Sequence, residues 1–163
     1  MTKPGATHGK TLILGIGNVL LRDEGAGIHA LHRLGEMLGD RDDVELMDGG
    51  TLSFTLAGAI EDADRLIVID AAQLDAAPGT TQVFVGDDMD AFVGANRKRS
   101  VHEVGLIDLM SIARLTDRLP PERALVGIQP HDFDWGETPS PAVAAAIPTA
   151  CREVLTLLET WHA

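Results

Sequence analysis

The feature that most restricts the fold is the recurrence of short, nearly uninterrupted apolar runs: TLILGI at 11–16, RLIVID at 65–70 and RALVGIQ at 123–129. A strand wetted on one face alternates polar and apolar residues, whereas a run apolar throughout is covered on both faces, as in a parallel sheet between helical layers. VELMD at 44–48 and TTQVFV at 80–85 add two more strands, and Pro78-Gly79 turns the chain before the second of these. The expected fold class is α/β, a three-layer α/β/α domain around a central, mostly parallel sheet of about five strands.

Helical stripes fill the intervals. From about 24 to 38, Ile28, Leu31, Leu34 and Leu38 share one side, while His29, His32, Arg33 and Glu36 share the other. That arrangement puts both histidines in solvent. From roughly 141 to 161, Val143, Ile147, Ala150, Val154, Leu157 and Trp161 form a second stripe. Pro148 is expected to kink this helix near Ala144, and Cys151 reads as packing. Residues 1–10 read as a flexible leader and 11–163 as one domain, with no run approaching the ~18 apolar residues of a membrane span. The net charge of −12 repels phosphate backbones and anionic lipid, which disfavours nucleic acid and membrane as partners. One cysteine permits neither an internal disulfide nor a multi-cysteine zinc site, and fits a reducing cytoplasm. A monomer is the expected state.

The stretch LILGIGNVLLRDEGAGIHAL at 12–31 begins like a dinucleotide fingerprint but carries Leu20 where the third glycine belongs. Asp23 and Glu24 then stand at a helix start, where acids repel phosphate; they are either caps or site residues. His102-Glu103 opens like H-E-x-x-H, but residue 106 is leucine. Neither G-x-S-x-G nor a phosphate-binding P-loop is present.

Three side chains remain at expected strand ends and helix starts. Glu24 follows the first strand, and Asp70 ends RLIVID at the carboxyl rim, where α/β sheets bind ligands. Ser100 and Glu103 have capping-box spacing, so a helix is expected from Ser100 with His102 in its first turn, after a loop of about 14 residues. Arg97, Lys98 and Arg99 in that loop read as a solvated basic run. Two carboxylates and an imidazole suit a divalent first-row ion and leave coordination positions open. The plainer alternative is that each acid caps a turn.

Taken in order, these segments resemble the [NiFe]-hydrogenase maturation endopeptidases. The opening strand with its Gly-Asn turn, MDGGT at 47–51, LIVIDA at 66–71, SVHEVGLIDLM at 100–110 and ALVGIQP at 124–130 each look like a family segment. The resemblance implies an enzyme that removes a C-terminal extension from the hydrogenase large-subunit precursor after nickel insertion. It implies Glu24, Asp70 and His102 as catalytic and metal-binding residues, with nickel supplied by the precursor as the recognition element. Gly49-Gly50 is a second flexible stretch that would adjust as a precursor docks. HDFDWGETPSP at 131–141 has no counterpart in the resemblance. The alternatives are a non-catalytic nickel-binding assembly factor with the same ligands, a serine hydrolase built from Ser100, His102 and Asp70, and a nucleotide-binding module.

Overall fold

The two most apolar runs lie side by side. In the computed structural model, which describes residues 9–50, 52–96 and 105–162, β1 (Thr11–Ile16) is buried at every position and pairs in parallel with β3 (Arg65–Ala71). β2 (Val44–Gly50) lies outside β1, and β5 (Glu122–Ile128) lies outside β3, both parallel to their neighbours. β4 (Thr81–Val85) closes the far edge antiparallel to β5, giving the order β2-β1-β3-β5-β4. The short link from β3 to β4 holds no crossover helix, so β4 returns antiparallel. This is the three-layer, mostly parallel sheet expected from the apolar runs.

Strand periodicity divides the core into two. Ile13, Ile67, Ile69, Val126 and Ile128 face α1 (Ala26–Leu38) and α5 (Pro141–His162). Leu12, Leu14, Ile16, Leu66, Val68 and Leu125 face α2 (Leu56–Asp62), α3 (Asp87–Ala95) and α4 (Leu106–Leu115). The apolar stripes of α1 and α5 are therefore spent against the sheet and against each other. Cys151 is packed there as expected, fully buried, with its thiol directed at the Ala30 carbonyl at 3.5 Å.

The structure corrects several expectations. At 22 residues, with an 18-residue window of mean hydropathy 1.3, α5 is long and apolar enough to cross a membrane by length and composition, although no such run was expected. In this fold its stripe is core. As expected, it runs as one helix past Pro148. Residues 9 and 10 are not part of a loose leader: the Lys10 amide donates to Asp64 at 2.8 Å, and the Gly9 carbonyl accepts from Arg65. His32 is exposed, but His29 is half-buried; burial, with the charge of His32, lowers its pKa, and its Nε2 is buried without a partner among the described residues.

The expected 14-residue loop before Ser100 is largely α3. Phe92 of α3 stacks on Phe84 with ring centroids 4.1 Å apart, and Asp90 takes a bidentate pair from Arg123 at 2.8 and 2.6 Å. These tertiary contacts fix a helix that has little amphipathic signal of its own. α2 likewise had no expected counterpart. The Ser100 capping box lies outside the described residues; α4 begins after Gly105, which is extended at φ −88° and ψ 162°. The observed cap is the Asp108 carboxylate accepting the Gly105 amide at 2.8 Å.

α1 enters the fold through a narrow gap. A Cβ at Gly27 would run into the carbonyl oxygen of Ile69 and lie 2.6 Å from that of Ile16. Both obstacles are sheet backbone and cannot swing aside. Gly27→Ala should therefore destabilise the protein by about 3 kcal/mol, read as a lower urea midpoint with an unchanged slope.

Candidate active site

The chain crosses to one side of the sheet after β1 and to the other after β3, so the crevice between their carboxyl ends is the natural ligand site. Both acids expected there arrive there. Glu24 lies in a single tight turn, Arg22–Gly25, between β1 and α1. Asp70 is the penultimate residue of β3, in register with Gly127 of β5. They share the wall of one cavity of about 550 Å³ with Ile16, Leu21, Leu52, Phe92, Leu106, Ile107 and Phe133. Asn96 and Gly105, which flank residues 97–104, also line it.

Local chemistry explains how Glu24 reaches this place. Asn18 folds the chain back, its side-chain oxygen accepting the Leu20 amide at 2.9 Å and its carbonyl the Leu21 amide at 3.1 Å. Gly17 has φ +138°, and a Cβ there would collide with the carbonyl oxygen of Glu24. Glycine at 17 is thus required by the close passage of the Glu24 backbone. On the other side, the Gly17 amide donates to the Gly50 carbonyl at 3.0 Å. The register of β1 on β2 skips Gly49, a bulge that lets the DGG segment meet this turn.

The acid pair is split by its surroundings. Asp23 is fully buried and accepts four hydrogen bonds, from the amides of His131, Asp132 and Ser140 and from the Ser140 hydroxyl, at 2.7–2.9 Å. Burial pushes its carboxyl upward, but these bonds outweigh burial and hold it below the ordinary 3.8. The N-cap of α1 is Gly25, and the Asp23 carboxylate is spent on residues 131, 132 and 140 rather than on that helix end. Asp70 behaves oppositely: burial and then the charge of Glu24 push it well above the ordinary carboxylate range, against a smaller opposing bond from the Ala71 amide.

Two of the three expected donors, Glu24 and Asp70, therefore come together. His102 lies outside the described residues, as do Ser100 and the basic run at 97–99. Among the described residues, no three His, Cys, Asp or Glu side chains are grouped closely enough to hold an ion. The cavity wall, again among the described residues, carries no serine, threonine, cysteine or histidine. Sequence reasoning missed the strap at 131–140 that Asp23 pins, and with it Phe133. It also missed the contributions of Phe92 and Asn96. A burial partner more than a hundred residues away leaves no local pattern, and the only hint was the aromatic-acid composition of HDFDW.

The family profile HycI, hydrogenase maturation protease, matches residues 28–157. The hydrogenase 2 maturation protease of Escherichia coli strain K12 is 35% identical over 150 residues, spanning 91% of this chain and 90% of that protein. The hydrogenase expression/formation protein HupD of Rhodobacter capsulatus is 39% identical over 153 residues, spanning 93% of this chain and 72% of that protein. Among solved structures, the hydrogenase maturating endopeptidase HybD from E. coli superposes with a TM-score of 0.84 at 33% identity, covering 93% of each chain. The [NiFe] hydrogenase maturation protease HybD from Thermococcus kodakarensis gives 0.74 at 29% identity, covering 91% of this chain and 98% of that one.

The raised Asp70 pKa is also a statement about stability. A folded value above the unfolded one favours the folded state at low pH, and that contribution is lost as pH rises through the folded value. At neutral pH, Asp70 thus costs stability through burial and through repulsion from Glu24. Asp70→Asn should raise Tm by about 2–4 °C at pH 8, with the gain vanishing below the ordinary carboxylate value of 3.8. Differential scanning fluorimetry across pH checks it.

Proposed function

The chain belongs to the hydrogenase maturation protease family, and on that premise we propose that it removes the C-terminal extension of a [NiFe]-hydrogenase large-subunit precursor after nickel insertion. The nickel belongs to the substrate. Glu24, Asp70 and His102 complete its coordination and so bring the scissile peptide to the cavity. The protein works in the cytoplasm, in keeping with its single free cysteine, and does so as a monomer.

One observation carries this reading. Two carboxylates share the wall of one largely apolar cavity, where burial and the charge of Glu24 raise the Asp70 pKa, and no hydroxyl, thiol or imidazole lines the described wall to use them as a nucleophile's partners. A divalent cation between them converts repulsion into attraction, and oxygen donors with an imidazole suit nickel. Lewis acidity toward the peptide carbonyl, or toward water, is the chemistry the substrate's ion supplies. The chain's own residues then do three things. Glu24 and Asp70 anchor the cation. The apolar wall of Phe92, Leu106, Ile107 and Phe133 strips water from the entering segment. Gly17 and Asn18 keep the Glu24 backbone in place.

Incubating purified protein with nickel-loaded and nickel-free precursor, and following the released peptide by mass spectrometry, should show cleavage of the loaded form alone. Equal cleavage of both would reject the nickel-reading role, and binding without shortening would favour an assembly factor. Glu24→Ala should lower kcat by about 100-fold or more. Precursor binding should weaken below about pH 6, where an imidazole takes up a proton; a flat response from pH 5 to 8 would count against a histidine donor.

A further inference from the structure

We propose that Asp23 is a positioning residue for the cleavage reaction, holding Glu24 and the strap of residues 131–140 in one fixed arrangement. The proposal rests on the reading of Glu24 as a site residue.

Asp23 does not line the cavity, and it is fully buried. An ionised carboxylate in such a place is costly unless its lone pairs are filled. Here all four donors come from the strap. Oδ2 accepts the amides of His131 and Asp132 and the Ser140 hydroxyl, and Oδ1 accepts the Ser140 amide. One side chain thus clasps both ends of the strap and makes it an Ω-like loop closed at its neck.

The turn is held from the strap side as well. The Asp23 amide donates to the Asp132 carbonyl at 3.0 Å, the Arg22 amide to Gly136 at 2.9 Å, and the Gly136 amide to Leu20 at 2.9 Å. Arg22 also pairs with Asp132 at 3.2 Å. Its φ is +43°, a conformation that a bulky side chain keeps only when its surroundings impose it. Directly after Asp23 comes Glu24, whose amide bonds Leu21 and whose carbonyl abuts Gly17. Its backbone has no slack, so the Asp23 clasp sets where the Glu24 carboxylate points. The same clasp sets the cavity wall, because Phe133 of the strap and Pro130 beside it line the cavity with Glu24. A displacement of about 1 Å at such a site costs on the order of 100-fold in rate.

Asp23→Asn keeps the shape but replaces one acceptor oxygen by a donor amide that faces other donors. Ser140→Ala removes a single donor and spares the rest. Each is assayed on nickel-loaded precursor at a temperature well below its own melting transition, alongside amide hydrogen exchange of the free proteins. We expect kcat to fall about 100-fold in Asp23→Asn and about 5-fold in Ser140→Ala. Exchange should accelerate selectively at residues 24, 131, 132 and 140, by more than any change in β1 and β3. A purely structural role predicts full kcat in the folded variants and one uniform loss of protection throughout; either result overturns the proposal. If Asp23→Asn does not fold, Ser140→Ala decides by the same two readings. Failure of the wild-type protein to cut precursor would sink the endopeptidase reading instead, and the exchange pattern would still decide whether Asp23 governs Glu24.

Discussion

Between the carbonyls of Ile16 and Ile69 there is room for a glycine and nothing larger, and α1 enters the fold through that gap at Gly27. The contact joins the ends of β1 and β3 to the first turn of the helix. It also explains why the chain between Gly17 and Ala26 is so tightly wound: the turn must deliver a helix to a fixed point within a few residues. Glu24 sits in that turn, and Asp70 follows Ile69 directly. The acid pair is thus a by-product of how closely the helix is allowed to approach the sheet.

The same few residues show how surroundings, not residue type, decide what a carboxylate does. Asp23 and Glu24 are neighbours, yet one is saturated with hydrogen bonds and held low, while the other adds its charge to the burden on Asp70. The first arrangement stabilises the fold and the second works against it. Proteins keep an arrangement of the second kind where a cation or substrate is to relieve it. The two acids also belong to different layers of organisation, one binding the strap to the turn, the other facing the cavity.

α5 makes a parallel point about hydrophobicity. By length and composition it matches a membrane-crossing helix, and its stripe of Val143, Ile147, Ala150, Val154 and Leu157 lies instead over Ile13, Ile67 and Val126. An apolar surface states only that it must be covered; the sheet between α1 and α5 on one side and α2, α3 and α4 on the other does the covering here. β1 and β3 are buried on both faces for that reason.

Periodicity and turn chemistry were readable from the residues because they act over a few positions. The five strands, α1, α5 and the arrival of Glu24 and Asp70 at one rim all followed from apolar runs, helical stripes and the rule that ligands bind beyond strand ends, while the Gly-Asn turn came from the family resemblance. α3 was not readable, since much of its anchorage comes from contacts outside the helix, from Phe84 of β4 and from Arg123, 33 residues beyond Asp90. The clasp between Asp23 and Ser140 was equally hidden, because 117 residues separate the partners. Local rules record what the backbone prefers, and such rules carry through wherever burial agrees with them. That Asp23 is filled with hydrogen bonds is decided by distant donors, and only the folded chain brings those donors to it.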